Sequence, residues 1–264
     1  MRIILTFCVF FLVSTEGYAK FFPTEVILRD SNNFAETLIV GNGSNKKILY
    51  EITTIVRIPN KNNLLKTNLK DKNFPTIESS KIFVSPKRFI IDKGQYQKVK
   101  ISIDPTYLKK LEEGSYLIGV KAKPAAVLKS DSEMEVPKKK KMVGATAQFI
   151  PTFLSNIIIL KGKNKYANID ITKASLDKNK NLSLGIKRDS KYFGFGLFNI
   201  EYSKDGKTWE PISKFEYKLY KTTGYLKKNL SKELGNKKGF LKIKYELIKR
   251  YGTHTYDEKT IKIP

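Results

Sequence analysis

At 264 residues the chain is long enough for two domains of ordinary size. Its 50 lysines and arginines against 25 aspartates and glutamates give a net charge of +25. Such a balance favours anionic partners, although the lysines are spread along nearly every segment and read chiefly as a solvated surface. A single histidine and a single cysteine exclude histidine-rich metal centres. Once Cys8 leaves with the leader, they also exclude any disulfide, thiol nucleophile or cysteine-ligated metal.

That leader is Met1-Arg2, an apolar run over 3–13 that is too short to span a bilayer, and the small residues Gly17 and Ala19. The pattern predicts a secretory signal peptide, residues 1–19, cut after Ala19. Export argues against nucleic acid as a partner.

From Lys20 onward, short apolar runs alternate with turn residues. Residues 22–28 predict a first strand, Asn32-Asn33 a turn, and 35–40 a second strand ended by the turn cluster over 41–45. Residues 48–58 predict one long strand stopped by Pro59, and 60–80 a polar loop with a weak strand inside. The organising stretch is 85–124. Val99, Ile101 and Ile103 alternate with Lys98, Lys100 and Ser102. Tyr116, Ile118, Val120 and Ala122 alternate with Leu117, Gly119, Lys121 and Lys123. A period of two gives each strand one face for a core. Residues 107–113 predict a short helical turn. Glu112-Glu113-Gly114-Ser115 predicts a tight corner before Tyr116, whose hydroxyl in such a corner ties back to upstream backbone.

Residues 124–141, with two prolines and four consecutive lysines, predict a long loop joining two strands. In the next element Val143, Ala145, Ala147 and Phe149 share one parity. Pro151 marks it as an edge strand, because proline cannot donate to a central ladder. Residues 156–160 continue as an apolar strand. The cluster Lys161-Gly162-Lys163-Asn164 then marks a boundary between an N-terminal domain, 20–161, and a C-terminal domain, 165–264. Beyond it come strands around Ile169 and Ile171, over 182–186 and over the aromatic-rich 192–202. An Asp205-Gly206 hairpin leads to a return strand opened by Trp209, and strands over 215–220, 240–248 and 256–263 follow. Short strands at this spacing predict an all-β fold of two immunoglobulin-like β-sandwich domains.

Catalytic chemistry is absent from the pattern. His254 sits in a predicted hairpin turn and reads as a surface residue. Gly194-Phe195-Gly196 lacks the third glycine and following helix of a nucleotide fingerprint. No carboxylate pair stands out as a glycosidase would require. The expectation is a protein without enzymatic activity, cofactor or metal.

Several motifs together resemble the N-terminal domain of periplasmic pilus chaperones, the PapD-like family, over residues 22–160. They are Pro23-Thr24-Glu25-Val26, Asn42-Gly43, Ser85-Pro86, Lys93-Gly94-Gln95, Glu113-Gly114-Ser115-Tyr116, and a long loop before the last strand. The resemblance implies a periplasmic protein whose edge strand pairs with an incomplete pilus or surface-fibre subunit by β-strand addition. It makes Val143, Ala145, Ala147 and Phe149 the candidate donor residues, unless that parity faces the protein's own core. It also implies a basic cleft for the subunit's C-terminal carboxylate. At the family's two basic positions this chain has Glu25 and a residue near Pro151, so Arg29 and Lys138, Lys139, Lys140 and Lys141 are the basic groups left to substitute. A structural or adhesive envelope protein on the same fold is the alternative, and weak contact with anionic envelope components a further partnership.

Overall fold

The computed structural model describes residues 25–29, 33–44, 46–67, 69–128, 152–162, 167–248 and 254–264. The predicted signal peptide, most of the predicted loop over 124–141, the candidate donor residues, and Lys163-Asn164 of the predicted boundary lie outside them.

In the N-terminal half the strands are β1 (Glu25–Arg29), β2 (Ala35–Gly41), β3 (Lys47–Ile55), β4 (Ile58–Pro59), β5 (Leu65–Lys66), β6 (Ile82–Ser85), β7 (Arg88–Ile91) and β8 (Tyr96–Ile103). Helix α1 (Pro105–Lys110) follows, then β9 (Gly114–Leu128) and β10 (Phe153–Lys161). The C-terminal half holds β11 (Ile169–Leu176), β12 (Asn181–Arg188), β13 (Gly194–Ser203), β14 (Glu210–Leu219) and β15 (Thr223–Asn229). Helix α2 (Ser231–Leu234), β16 (Phe240–Leu247) and β17 (Thr255–Lys262) complete it.

Each half is a sandwich, as the spacing predicted. A five-stranded sheet β1-β10-β9-β3-β7 faces a three-stranded sheet β2-β8-β6, and a three-stranded β11-β12-β15 faces a four-stranded β14-β13-β16-β17. The alternating residues do what their period implies. Val99, Ile101, Ile103, Ile118, Val120 and Ala122 are all buried in the N-terminal core. The corner tyrosine also forms: Tyr116 Oη donates to the Glu112 carbonyl at 3.0 Å. Two turn motifs far apart in sequence meet at Asn42, whose side-chain amide is buried. Its Nδ2 donates to the carbonyl of Ile91 at 2.9 Å, and its own carbonyl accepts from the Gly94 N–H at 2.9 Å. Gly94 takes φ 68°, a conformation that favours glycine.

Four local expectations are corrected. The long strand over 48–58 breaks after Ile55, because the Arg57 side chain folds back across Gly119 and bonds to β10 and β5. The loop predicted from Pro124 begins later: β9 runs on to Leu128 against β3, with Pro124 paired to Tyr50 beside a bulge that sets Ala125 out of register. The short helix starts at Pro105 instead of 107, because Asp104 caps it, Oδ1 accepting from the Thr106 and Tyr107 N–H groups at 2.8 and 3.3 Å. Strand β15, unforeseen, is an edge strand with only partial burial of Leu226 and a glycine at 224, so it lacks an apolar alternation. Asp205-Gly206 does turn β13 into β14, and Trp209 lies beneath the Lys242 ammonium, 4.1 Å from the ring centroid. His254 is exposed.

Candidate docking edge and interdomain cleft

Among the described residues, the five-stranded sheet is only partly paired along one side. Strand β10 pairs antiparallel with β9 along its full length, but the parallel partner β1 reaches only Asn156 to Leu160. Leu154 and Ser155 therefore have β9 on one side and no described strand on the other. Beyond Ala122, β9 continues to Leu128 with β3 as its one described neighbour. Backbone donors and acceptors along such an edge are a template for an added strand. Val143, Ala145, Ala147, Phe149 and Lys138, Lys139, Lys140 and Lys141 lie outside the described residues, in the chain just before this edge.

Next to the edge, a polar row crosses the outer face of the same sheet. Register sets Glu25 beside Asn156, and Asn156 beside Gly119. Arg57 lies over Gly119, where an added Cβ would come within 2.8 Å of its Cδ. Arg57 Nη1 donates to Asn156 Oδ1, and Nη2 to the Leu65 carbonyl at 3.0 Å. Burial pulls the Arg57 pKa down, an effect the nearby Tyr220 hydroxyl opposes. The Glu25 carboxylate is only 4% exposed and meets Lys218 Nζ, from β14, at 2.6 Å.

This pair is one of several bonds that fix the two sandwiches to each other. Asn63 Oδ1 accepts from the Tyr220 and Lys221 N–H groups at 3.0 and 3.1 Å, and its Nδ2 donates to the Lys218 carbonyl. On the far side the Ser115 N–H donates to the Lys191 carbonyl and the Phe193 N–H to Ser115 Oγ, both at 3.0 Å. Tyr192 Oη reaches the Lys161 carbonyl at 2.8 Å. Between these bonds lies an apolar cluster that includes Ile58, Phe74, Leu117, Ile158, Phe193 and Tyr220. Phe74 and Phe193 stack at 5.6 Å.

Arg29 shares the outward face of β1 with Glu25, four residues further along the strand, with Ile27 of the apolar cluster between them. At about 3.3 Å per residue the two Cα atoms stand roughly 13 Å apart. Sequence reasoning missed Lys218, Arg57 and Asn63. Lys218 and Glu25 are 193 positions apart, so no local spacing signals their meeting.

Fold and site together define a tandem β-sandwich protein in which Leu154 and Ser155 have no described strand beyond β10 and Glu25 is paired with Lys218 across the junction. No protein-family model matches the chain, nor does any curated sequence. Among solved structures it is similar to the class 5 fimbriae chaperone CfaA, with 15% identity and a TM-score of 0.49 over 92% of this chain and 98% of that one. It is also similar to a chain of the complex of the Salmonella enterica SafA pilin with the SafB chaperone, with 15% identity and a TM-score of 0.46 over 92% and 95%. The Pseudomonas aeruginosa CupB2 chaperone shares 10% identity at a TM-score of 0.43 over 91% and 97%.

Proposed function

We propose that the protein is an exported, periplasmic chaperone-like protein that binds and caps a pilus or surface-fibre subunit by β-strand addition. In this reading residues 1–19 are removed, the domains divide between 161 and 165, and the protein has no catalytic activity. The observation that carries the proposal is the edge at Leu154 and Ser155, which has β9 on one side and no described strand on the other. The candidate donors Val143, Ala145, Ala147 and Phe149 lead into it along the chain. Backbone hydrogen bonds at the edge supply affinity, and alternate side chains entering the client's groove supply selectivity.

The cleft favours a second reading, a structural or adhesive envelope protein. Glu25 stands where the resemblance implies a carboxylate-binding arginine, and Lys218 already answers its charge. In the chaperone reading a client carboxylate would instead meet Arg57 and Lys121 on the outer face of the five-stranded sheet, aided by the basic run 138–141.

The test is an affinity pull-down of residues 20–264 from the native envelope, read by mass spectrometry. Strand addition predicts one stoichiometric β-rich subunit, retained in high salt and lost in Ala147→Asp and Phe149→Asp. Recovery of no subunit from repeated preparations leaves the structural reading.

A further inference from the structure

One sheet face of the N-terminal sandwich carries a different chemistry from the rest. In β8 the residues Val99, Ile101 and Ile103 enter the core, so Tyr96, Lys98, Lys100 and Ser102 face outward. Register places Ile39 beside Lys98, Thr37 beside Lys100, and Phe83 beside Ser102. Ile39, Phe83 and Tyr96 are 37%, 52% and 59% exposed, large apolar bodies standing among lysines. Among the described residues of these three strands no carboxylate shares the face. Glu36, the one acidic residue on β2, β6 and β8, has core-side parity, and its Oε1 accepts from the Thr37 N–H at 3.0 Å. The four-stranded sheet of the other sandwich differs: Lys244 meets Glu201 at 3.2 Å and lies across from Glu258.

Lysine stems cover apolar surface while their ammonium groups reach anionic oxygens, and aromatic rings settle at the boundary between headgroups and acyl chains. A polyanionic glycan or nucleic acid would use Lys98 and Lys100 but leave Phe83 and Ile39 in water. We infer that the outer face of the β2-β8-β6 sheet docks the protein on an anionic lipid bilayer, with Lys98 and Lys100 on headgroup phosphates and Phe83, Ile39 and Tyr96 at the interface. The face lies on the opposite side of the sandwich from the five-stranded sheet's outer surface. A docked molecule therefore keeps the β10 edge and the cleft clear of the membrane, and the inference is independent of the proposed function.

The test is co-sedimentation of residues 20–264, which contain every described element, with two kinds of vesicle, phosphatidylcholine alone and phosphatidylcholine with phosphatidylglycerol. Binding is expected only to the anionic vesicles and to weaken with salt. The double variant Lys98→Glu, Lys100→Glu loses about tenfold or more in affinity. Phe83→Ser, which leaves the charge unchanged, loses severalfold. A charge-matched control, Lys173→Glu with Lys227→Glu on the C-terminal sandwich, binds as the parent does, and thermal melts verify that each variant is folded. Four results overturn the inference: no binding to anionic vesicles, equal binding to neutral ones, a control that loses as much as the face variant, or a Phe83→Ser variant that binds like the parent. The last would leave a polyanion site without a bilayer.

Discussion

The two sandwiches share an architecture and differ in how completely they satisfy themselves. The N-terminal core is largely aliphatic, built from residues such as Leu28, Ile101 and Ile118, and Leu154 and Ser155 in its five-stranded sheet have no described strand beyond β10. The C-terminal core is also mainly aliphatic but is crossed by an aromatic run: Phe198 stacks on Tyr245 at 4.5 Å, and Tyr256 tilts against Tyr245 at 5.2 Å. Tyr245 Oη donates to the Tyr217 carbonyl at 2.8 Å. Arg188, buried without a carboxylate, donates to the carbonyls of Tyr192, Tyr220 and Lys221 at 2.9, 3.1 and 3.2 Å, and to that of Ser190. The C-terminal sandwich thus uses buried polar groups to hold itself and the junction, whereas the outer face of β2-β8-β6 in the N-terminal one sets exposed apolar side chains among lysines.

Substitutions can break this contrast, beginning with the cores. Phe198→Ala is expected to cost about 4 kcal/mol and Ile101→Ala about 3 kcal/mol. Because the junction couples the sandwiches, urea unfolding of both variants should give one transition. It should coincide in the fluorescence of Trp209, the sole tryptophan, which reports the C-terminal sandwich, and in circular dichroism. Separate transitions would show two independently folding units and a weak junction.

Arg188→Met follows, at about 2–3 kcal/mol, since it strands several carbonyls in the interior. Burial pulls the Arg188 pKa down to about 10. The unfolded chain keeps that proton into the ordinary arginine range, so stability from this group rises with pH above about 10 and is flat below it. Denaturation of parent and variant between neutral and alkaline pH checks the sign. If the two slopes match above pH 10, Arg188 is not the titrating group.

Lys218→Met sharpens the comparison at the cleft. It removes the cation facing the nearly buried Glu25 carboxylate and should cost about 2 kcal/mol, with Lys218→Arg recovering part of it. The smallest effect is expected from Tyr116→Phe, which deletes one hydrogen bond at a partly exposed corner and should cost about 1 kcal/mol. A loss no larger than that of Tyr225→Phe, on a residue 74% exposed, would mean the corner bond adds nothing.

Strand alternation, the corner at Tyr116 and the Asp205-Gly206 hairpin were legible in the chain because each depends on neighbours within a few residues. Strand periodicity is a property of backbone geometry, and a turn of its own side chains. Where the reading slipped, a distant group had intervened. Residues 56–58 carry a strand's apolar pattern, yet Arg57 is drawn away by Asn156, 99 positions on. Thr223 to Asn229 carries none, yet its backbone finds Asn181 to Lys187 as a ladder partner.

The candidate site divides along the same line. Glu25 could be singled out from sequence as a charge opposite to the one the resemblance implies. That it is neutralised by Lys218, and that Asn63, Ser115 and Tyr192 clamp the sandwiches around one apolar cluster, depended on two sheets being brought together. The sequence by itself determined the β class, the tandem arrangement of short strands and the inward faces, since period and turn chemistry are local. Only the tertiary structure decided which strands pair, which described lysines share a face without a carboxylate and which charge is cancelled. Those are properties of side chains from distant segments sharing one small volume, where burial makes each pairing count.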